Sequence, residues 1–167
     1  MENEHPSIGT PKKQAATTVP ERNESPERQP LGITIEITFT DVLGRVEATF
    51  NGPVEQFPAR KPGADYIEGY IRTPYGDYIL TDNIRWSAAN NVFNDIKRYV
   101  EAKNQYKTVE AELRRMKDML AAAVRSYQCG TGDPDYELSG RVSDLVEVEK
   151  RLKGEIDRLD QLLRPYR

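Results

Sequence analysis

Cys129 is the only cysteine in this 167-residue chain and its strongest potential nucleophile. A catalytic thiol needs a neighbouring base or a cationic environment that lowers its pKa. The only histidine is His5, far away in the chain, and the nearest cation in sequence is Arg125. A single cysteine also cannot form an intrachain disulfide. We therefore expect an incidental thiol and no catalytic residues.

An acidic group at Asp133, Asp135 and Glu137 has residue types that could bind a divalent cation. It lacks the further carboxylates and the glycine spacing of a calcium loop. Acids at this point are equally explained by capping of a following helix. The nearby Gly130-Thr131-Gly132 lacks the Lys-Ser/Thr of a phosphate-binding loop. The sequence therefore predicts no metal site and no cofactor.

A cluster of tyrosines is the third group of residues that could carry chemistry. The candidate nucleic-acid surface comprises Tyr66, Tyr70, Tyr75 and Tyr78 together with Arg72, and Arg60 and Lys61 are nearby in sequence. Aromatic and basic side chains on a sheet can stack and hold single-stranded bases. However, the segment from 32 to 86 contains more acids than bases, and cross-strand packing explains tyrosines equally well. Nucleic acid is therefore an alternative partner that the charge balance does not favour.

Alternating apolar residues predict the strands that carry these tyrosines. We expect strands over 33–40, 45–50, 66–72 and 78–81, paired as two hairpins, with a loop from Val54 to Asp65. On the third strand, Tyr66, Tyr70 and Arg72 should share one face. So small a sheet needs further cover, which the following helix can supply.

After Trp86, apolar residues recur at heptad spacing. A row at every seventh residue runs through Val92, Tyr99, Tyr106, Leu113, Leu120 and Tyr127, and a row three residues later holds Asp95, Ala102, Val109, Met116 and Ala123. In the second helix, steps of four and three, interrupted by Glu149, lead through Leu138, Val142, Leu145, Leu152, Ile156, Leu159 and Leu163. This heptad pattern predicts two long helices of a coiled coil. Ser87 and Asp133 are the expected N-caps, and Pro165 ends the second helix. A short loop containing Gly130 and Gly132 makes the helices antiparallel neighbours.

Near the loop the apolar surface is broader than a seam between two helices can bury. The candidate protein-interaction surface comprises Met116, Met119, Leu120, Val124, Val142 and Val146. Its width favours a second copy of the chain or another protein as partner. The alternative is a broad intramolecular seam.

Composition limits the remaining choices. Residues 1–31 are rich in proline and poor in aliphatic side chains, which predicts a disordered tail. The net charge of −3 argues against a general nucleic-acid binder. No apolar run is long enough for a membrane span and no signal peptide precedes it, so we expect a cytoplasmic protein without a membrane partner.

The sequence thus predicts an α+β chain in three parts. They are a disordered tail over 1–31, a four-stranded antiparallel β module over 32–86 and an antiparallel helical hairpin over 87–167. The expected function is a non-enzymatic scaffold, adaptor or assembly protein that acts by coiled-coil self-association, as a homo-oligomer, or by binding another protein. The alternatives are a nucleic-acid-associated regulator that uses the tyrosine-rich hairpin and, by analogy of architecture alone, a structural or assembly component of a phage particle.

Overall fold

The structure, a computed structural model, describes residues 30–57 and 65–167, with only the backbone at Asp82 and Asn83. The elements are β1 (Thr34–Thr40), β2 (Val46–Pro53), β3 (Tyr66–Thr73), β4 (Gly76–Arg85), α1 (Trp86–Gln128) and α2 (Tyr136–Leu163), with single 3-10 turns at Val54–Gln56 and Arg164–Tyr166. The predicted α+β architecture is confirmed. The predicted tail over 1–31 lies almost entirely outside the described residues.

The four strands form one antiparallel sheet in the order β2-β1-β3-β4. At its centre Ile37 pairs with Phe50 on β2 and with Gly69 on β3. The alternation of apolar and polar residues puts the isoleucines of β1 on one buried face and its threonines and Glu36 on the other. The predicted pairing as two hairpins is confirmed, and β1 and β3 join them.

Strand β4 is longer than predicted and contains a bulge. Ile67 pairs with Ile84 whereas Gly69 pairs with Leu80, so β4 holds extra residues between these pairs. Gly69 lies at the bulge with φ of +145°, and a Cβ atom there would come within 2.1 Å of the Glu36 carbonyl oxygen. Only glycine allows β1 and β3 to approach so closely at this point.

The β1–β2 turn is organised by Asp41. Its Oδ1 accepts hydrogen bonds from the backbone N–H groups of Leu43 (2.8 Å) and Arg45 (2.9 Å), and its Oδ2 from the Arg45 guanidinium (2.8 Å). These bonds, led by the Arg45 backbone N–H, hold the pKa of the Asp41 carboxyl below its usual value. The turn therefore closes the hairpin through one ionised side chain.

A single core joins the sheet to both helices. Phe93, Ile96 and Val100 of α1 are buried against the inner face, and Leu159 and Leu163 of α2 complete the same cluster. At one end of the sheet, rings of Phe39, Phe57 and Trp86 pack with centroids 5.7–5.9 Å apart. Trp86 thus packs where sheet meets helix, as its position between them predicts.

Both helix starts differ from the predicted ones. Helix α1 begins at Trp86 without a side-chain cap, because β4 continues directly into it and the Trp86 N–H donates to the Asp65 carbonyl (3.1 Å). Helix α2 begins at Tyr136, and Asp135 is its N-cap, accepting from the Leu138 N–H at 2.8 Å. The prediction of Ser87 and Asp133 as caps is wrong.

Beyond the core the helices continue as a two-helix projection. We call residues 103–128 of α1 and 136–152 of α2 the arm. Its buried side chains are Leu113, Met116, Leu138 and Leu152. Antiparallel pairing of the two helices is confirmed, and the arm carries few buried residues for its length.

Substitution Gly69→Ala should destabilise the fold by at least about 2 kcal/mol, because the new methyl group collides with backbone and φ is positive. Urea denaturation followed by circular dichroism measures the change. Gly140→Ala is the control: its Cβ meets nothing within 4 Å in exposed helix. It should stabilise by about 0.5–1 kcal/mol. Equal effects of both substitutions would contradict the assignment of Gly69.

Substitution Asp135→Ala should lower the free energy of unfolding by about 1 kcal/mol, because the Leu138 N–H loses its acceptor. Asp133→Ala removes the same charge two residues earlier and should change it by less than about 0.5 kcal/mol. Thermal unfolding of the two variants side by side makes the comparison. A larger loss for Asp133→Ala would restore the cap expected from the sequence.

Candidate functional site

The structure divides the tyrosine cluster between three places. Tyr66, Tyr70 and Arg72 lie on the outer face of β3, as predicted. Tyr78 lies on the inner face with 0% exposure. Tyr75, in the β3–β4 turn, packs against α1, where its hydroxyl donates to the Asn104 side chain. The expectation of one five-residue surface is therefore wrong, because Tyr78 has the opposite strand parity and Tyr75 belongs to a turn.

The outer sheet face does not form a basic platform. A hollow of about 420 Å³ there is lined by Glu36, Thr38, Glu68, Gly69, Tyr70, Ile79, Leu80 and Thr81. Arg72 places its guanidinium 3.8 Å from the Glu36 carboxylate. Two carboxylates border this hollow, and Arg72 beside it is paired with one of them, so the face is poorly suited to a phosphate backbone.

Buried Tyr78 belongs to a polar cluster that ties the end of α2 to the sheet. The Arg167 guanidinium lies 5.6 and 5.7 Å from the ring centroids of Tyr78 and Tyr99 and donates to both hydroxyls. Its other partner is the Asp160 carboxylate at 2.6 Å. Burial raises the pKa of the Tyr78 hydroxyl, and the hydrogen bond to Tyr78 raises that of Arg167. Every charge has a partner, which indicates a structural role.

Between the helices, polar contacts fix the register. Arg98 pairs with Glu155 at 3.0 Å, and the Tyr106 hydroxyl donates to Glu149 at 3.4 Å. These contacts place Arg98 opposite Glu155 and Tyr106 opposite Glu149 across the seam between the helices. Burial and nearby Glu149 raise the pKa of Tyr106.

The inter-helix loop holds the residues that first suggested chemistry. Cys129 is exposed. Gly130 has φ of +72° and donates to the Tyr127 carbonyl at the end of α1, a conformation that favours glycine. Asp135 is engaged as the cap of α2. Within residues 30–57 and 65–167, no three His, Cys, Asp or Glu side chains group as metal ligands.

The candidate protein-interaction residues fall into three degrees of exposure. Met116 is buried, with 2% exposure, so its inclusion in a surface is wrong: it fills the seam between the helices. Leu120 and Val142 are half-buried. The exposed members are Met119 at 50%, Val124 at 46% and Val146 at 37%.

Two aromatic residues at the tip extend this surface and were not predicted as part of it. Tyr127 is 54% exposed and Tyr136 is 81% exposed. A cavity of about 240 Å³ between the helix ends is lined by Leu120, Ala123, Val124, Tyr127, Pro134, Asp135, Tyr136 and Ser139. Sequence reasoning missed Tyr136 because it placed the cap at Asp133, whereas Tyr136 directly follows the observed cap, Asp135, and is the first residue of α2.

The exposed apolar residues occupy two sides of the arm. Met119 and Val124 are five residues apart on α1, which separates them by about 140° around the helix. Val124 lines the aromatic tip cavity, whereas Met119 lies on the opposite side of the inter-helix seam. The tip cavity and Val124 therefore form the more concentrated apolar surface.

Comparisons with known proteins add no functional assignment. No family model matches the chain, and neither the curated proteins nor the solved structures contain a significant match. Among the described residues, none of the helices combines the length and apolarity that a membrane span requires. The class of protein defined by the fold is an α+β chain with a projecting helical hairpin.

The raised pKa of Tyr78 predicts alkaline destabilisation. A pKa above the unfolded value, which is near 10, contributes stability below pH 10 that is lost as pH rises through the folded pKa. Urea denaturation between pH 8 and 11 should show this fall. Tyr78→Phe should lower the free energy of unfolding by about 1 kcal/mol at pH 8 and should reduce its further decrease towards pH 11. The decrease that remains is expected from Tyr106, whose pKa is also raised. Tyr70→Phe, on the exposed face, is the control; equal flattening would contradict the assignment.

Proposed function

We propose that this protein is a non-enzymatic scaffold or adaptor whose arm binds another protein chain, either a second copy or a different protein. The observation that carries the proposal is the exposed apolar tip, where Val124, Tyr127 and Tyr136 remain 46%, 54% and 81% exposed. Aromatic and aliphatic side chains clustered around a cavity are typical of residues that dominate protein interfaces.

The distribution of buried residues supports the same proposal. The buried residues of the core that stabilises the sheet extend to Ala102 on α1 and Ile156 on α2, with half-buried Tyr106 packed against them, so most of the arm lies beyond this core. A helical projection with few buried residues gains stability when another helix covers it. The arm is therefore the part of the described chain that a partner would stabilise most.

The sheet supports a separate role as the platform that holds the arm. Its inner face is covered by α1 and α2, and its outer face mixes the carboxylates of Glu36 and Glu68 with exposed Tyr70 and Ile79. The alternative of a nucleic-acid regulator that uses Tyr66, Tyr70 and Arg72 has no supporting geometry beyond their shared face. Glu36 and Glu68 beside them oppose phosphate.

Site-specific photo-crosslinking tests the arm directly. A benzophenone amino acid placed at Val124 should give a covalent adduct with a protein in cells, because a photoreactive group at an interface lies within reach of the partner. The same group placed at Thr49, on the exposed side of β2, is the matched control. Absence of any adduct at Val124 above that control would contradict the proposal.

Light scattering on the purified protein at tens of micromolar then identifies the class of partner. A dimer or higher species that Val124→Glu dissociates assigns the adduct to a second copy. A monomer together with a Val124 adduct assigns it to a different protein. Tyr70→Glu, exposed on the sheet, should leave the mass unchanged in either case.

A further inference from the structure

One side of the arm carries cations at helical spacing. Lys103, Lys107, Arg114 and Lys117 follow one another by four, seven and three residues, which places them within about 80° of one another around α1. Glu110 is the single acid among them. The first is half-buried and the other three cations are exposed. We call these four residues the basic strip.

Contacts with the sheet show which side this is. The ammonium groups of Lys103 and Lys107 lie 6.0 and 4.7 Å from the Tyr75 ring centroid, in the β3–β4 turn. Arg114 is seven residues beyond Lys107, so it lies on the same side of the helix. The basic strip therefore starts at the rim of the sheet and runs towards the tip.

The same side of α2 contributes the opposite border. Asp160 contacts Tyr99 and Arg167 on the sheet side, and Glu149 contacts Tyr106 on the same side, so both acids are engaged. Lys153 and Val146 precede Asp160 by seven and fourteen residues. On α1, Val124 follows Lys117 by seven residues. The Tyr106–Glu149 contact places Val146, three residues before Glu149, level with about Val109 and therefore beside the basic strip, whereas Val124 lies nearer the tip.

The cations of this face have no anionic partner among the described residues. Among the described residues, the ion pairs within 4 Å involve Arg45, Arg72, Arg98 and Arg167. None of them involves the basic strip or Lys153. Exposed Val146 and Val124, beside the basic strip of α1 and Lys153 of α2, match a ligand that is apolar along its centre and acidic along its edges. An amphipathic helix with acidic flanks has that chemistry.

We infer that the sheet-side face of the arm binds an acidic amphipathic helix of another protein, which packs between α1 and α2 as a third helix. The inference rests on the proposed function and names its partner's chemistry. From Lys103 to Val124 the face spans 21 residues, about 32 Å of helix, or three heptads of the partner. The valines and the tip supply apolar contact, while the cations provide selectivity and steer association.

A designed peptide serves as the probe. It has three heptads with leucine at both seam positions, glutamate at the flanking positions and a fluorescent label, and a second peptide has lysine in place of glutamate. Fluorescence anisotropy with the full chain at 50 mM salt should show binding of the glutamate peptide at least tenfold tighter than the lysine peptide. At 500 mM salt this preference should shrink, because screening weakens exposed charge pairs.

Two adjacent arginines provide the matched variants. Arg114→Glu reverses a charge on the basic strip, whereas Arg115→Glu makes the same change about 100° around the helix. We expect Arg114→Glu alone to weaken binding of the glutamate peptide about threefold or more, and Arg115→Glu to change it by less than about twofold. Adding Lys117→Glu to Arg114→Glu should bring the loss to about tenfold or more. All three substitutions are at exposed positions, and circular dichroism verifies that the helices persist.

Each other outcome overturns the inference in a specific way. Equal affinity for both peptides, or equal losses from Arg114→Glu and Arg115→Glu, removes the acidic helix as occupant. Binding of a 20-nucleotide single strand through Arg114, without peptide binding, replaces it with nucleic acid. A dimer that buries Val124 replaces it with a second copy. If the Val124 adduct forms but the two peptides bind equally, the inference fails and the proposed scaffold function stands. If neither the adduct nor a peptide preference is found, both the inference and the proposed function are contradicted.

Discussion

The whole structure depends on the burial of one side of α1 against the inner face of the sheet. A four-stranded sheet of this size exposes an apolar face that it cannot cover by itself. That face is covered by Phe93, Ile96 and Val100 of α1, and the rest of it is buried by Leu159 and Leu163 of α2. Because α1 is continuous from Trp86 to Gln128, the packing of its first turns fixes the direction in which the arm projects.

This arrangement separates the chain's stability from its exposed chemistry. Polar groups near the core are paired: Asp41 closes a turn, and Arg167 joins two tyrosines to Asp160. The arm, in contrast, holds exposed apolar side chains and unpaired cations of the basic strip within the described part of the chain. A folded platform that carries an incompletely covered helical projection is physically suited to presenting a binding surface to another protein.

The apolar and charged parts of the arm have different physical roles. Burial of the tip residues would contribute most of the binding free energy, since apolar area removed from water contributes about 25 cal/mol per Å². Exposed ion pairs contribute less, typically below about 1 kcal/mol each. In the proposed interaction, their arrangement on one side of α1 would discriminate between partners, because a like-charged helix would be repelled along the same line.

Local periodicity in the sequence determined the elements themselves. The alternation in Ile33–Thr40 and the heptads after Trp86 specify strand and helix because each period matches only one backbone geometry. For the same reason, the shared face of Tyr66, Tyr70 and Arg72 follows from strand parity. The sequence also indicates an apolar surface near the helical loop, since its residues lie close together in sequence.

Tertiary structure alone decided how those elements use their residues. The Asp65 carbonyl replaced a side-chain cap at Trp86, and the bulge at Gly69 lengthened β4, because both depend on contacts distant in sequence. The burial of Tyr78 and Met116 depends on which neighbour covers each face. The alignment of Lys103 and Lys107 with the sheet likewise required the angle between sheet and helix, which packing sets and local sequence does not encode.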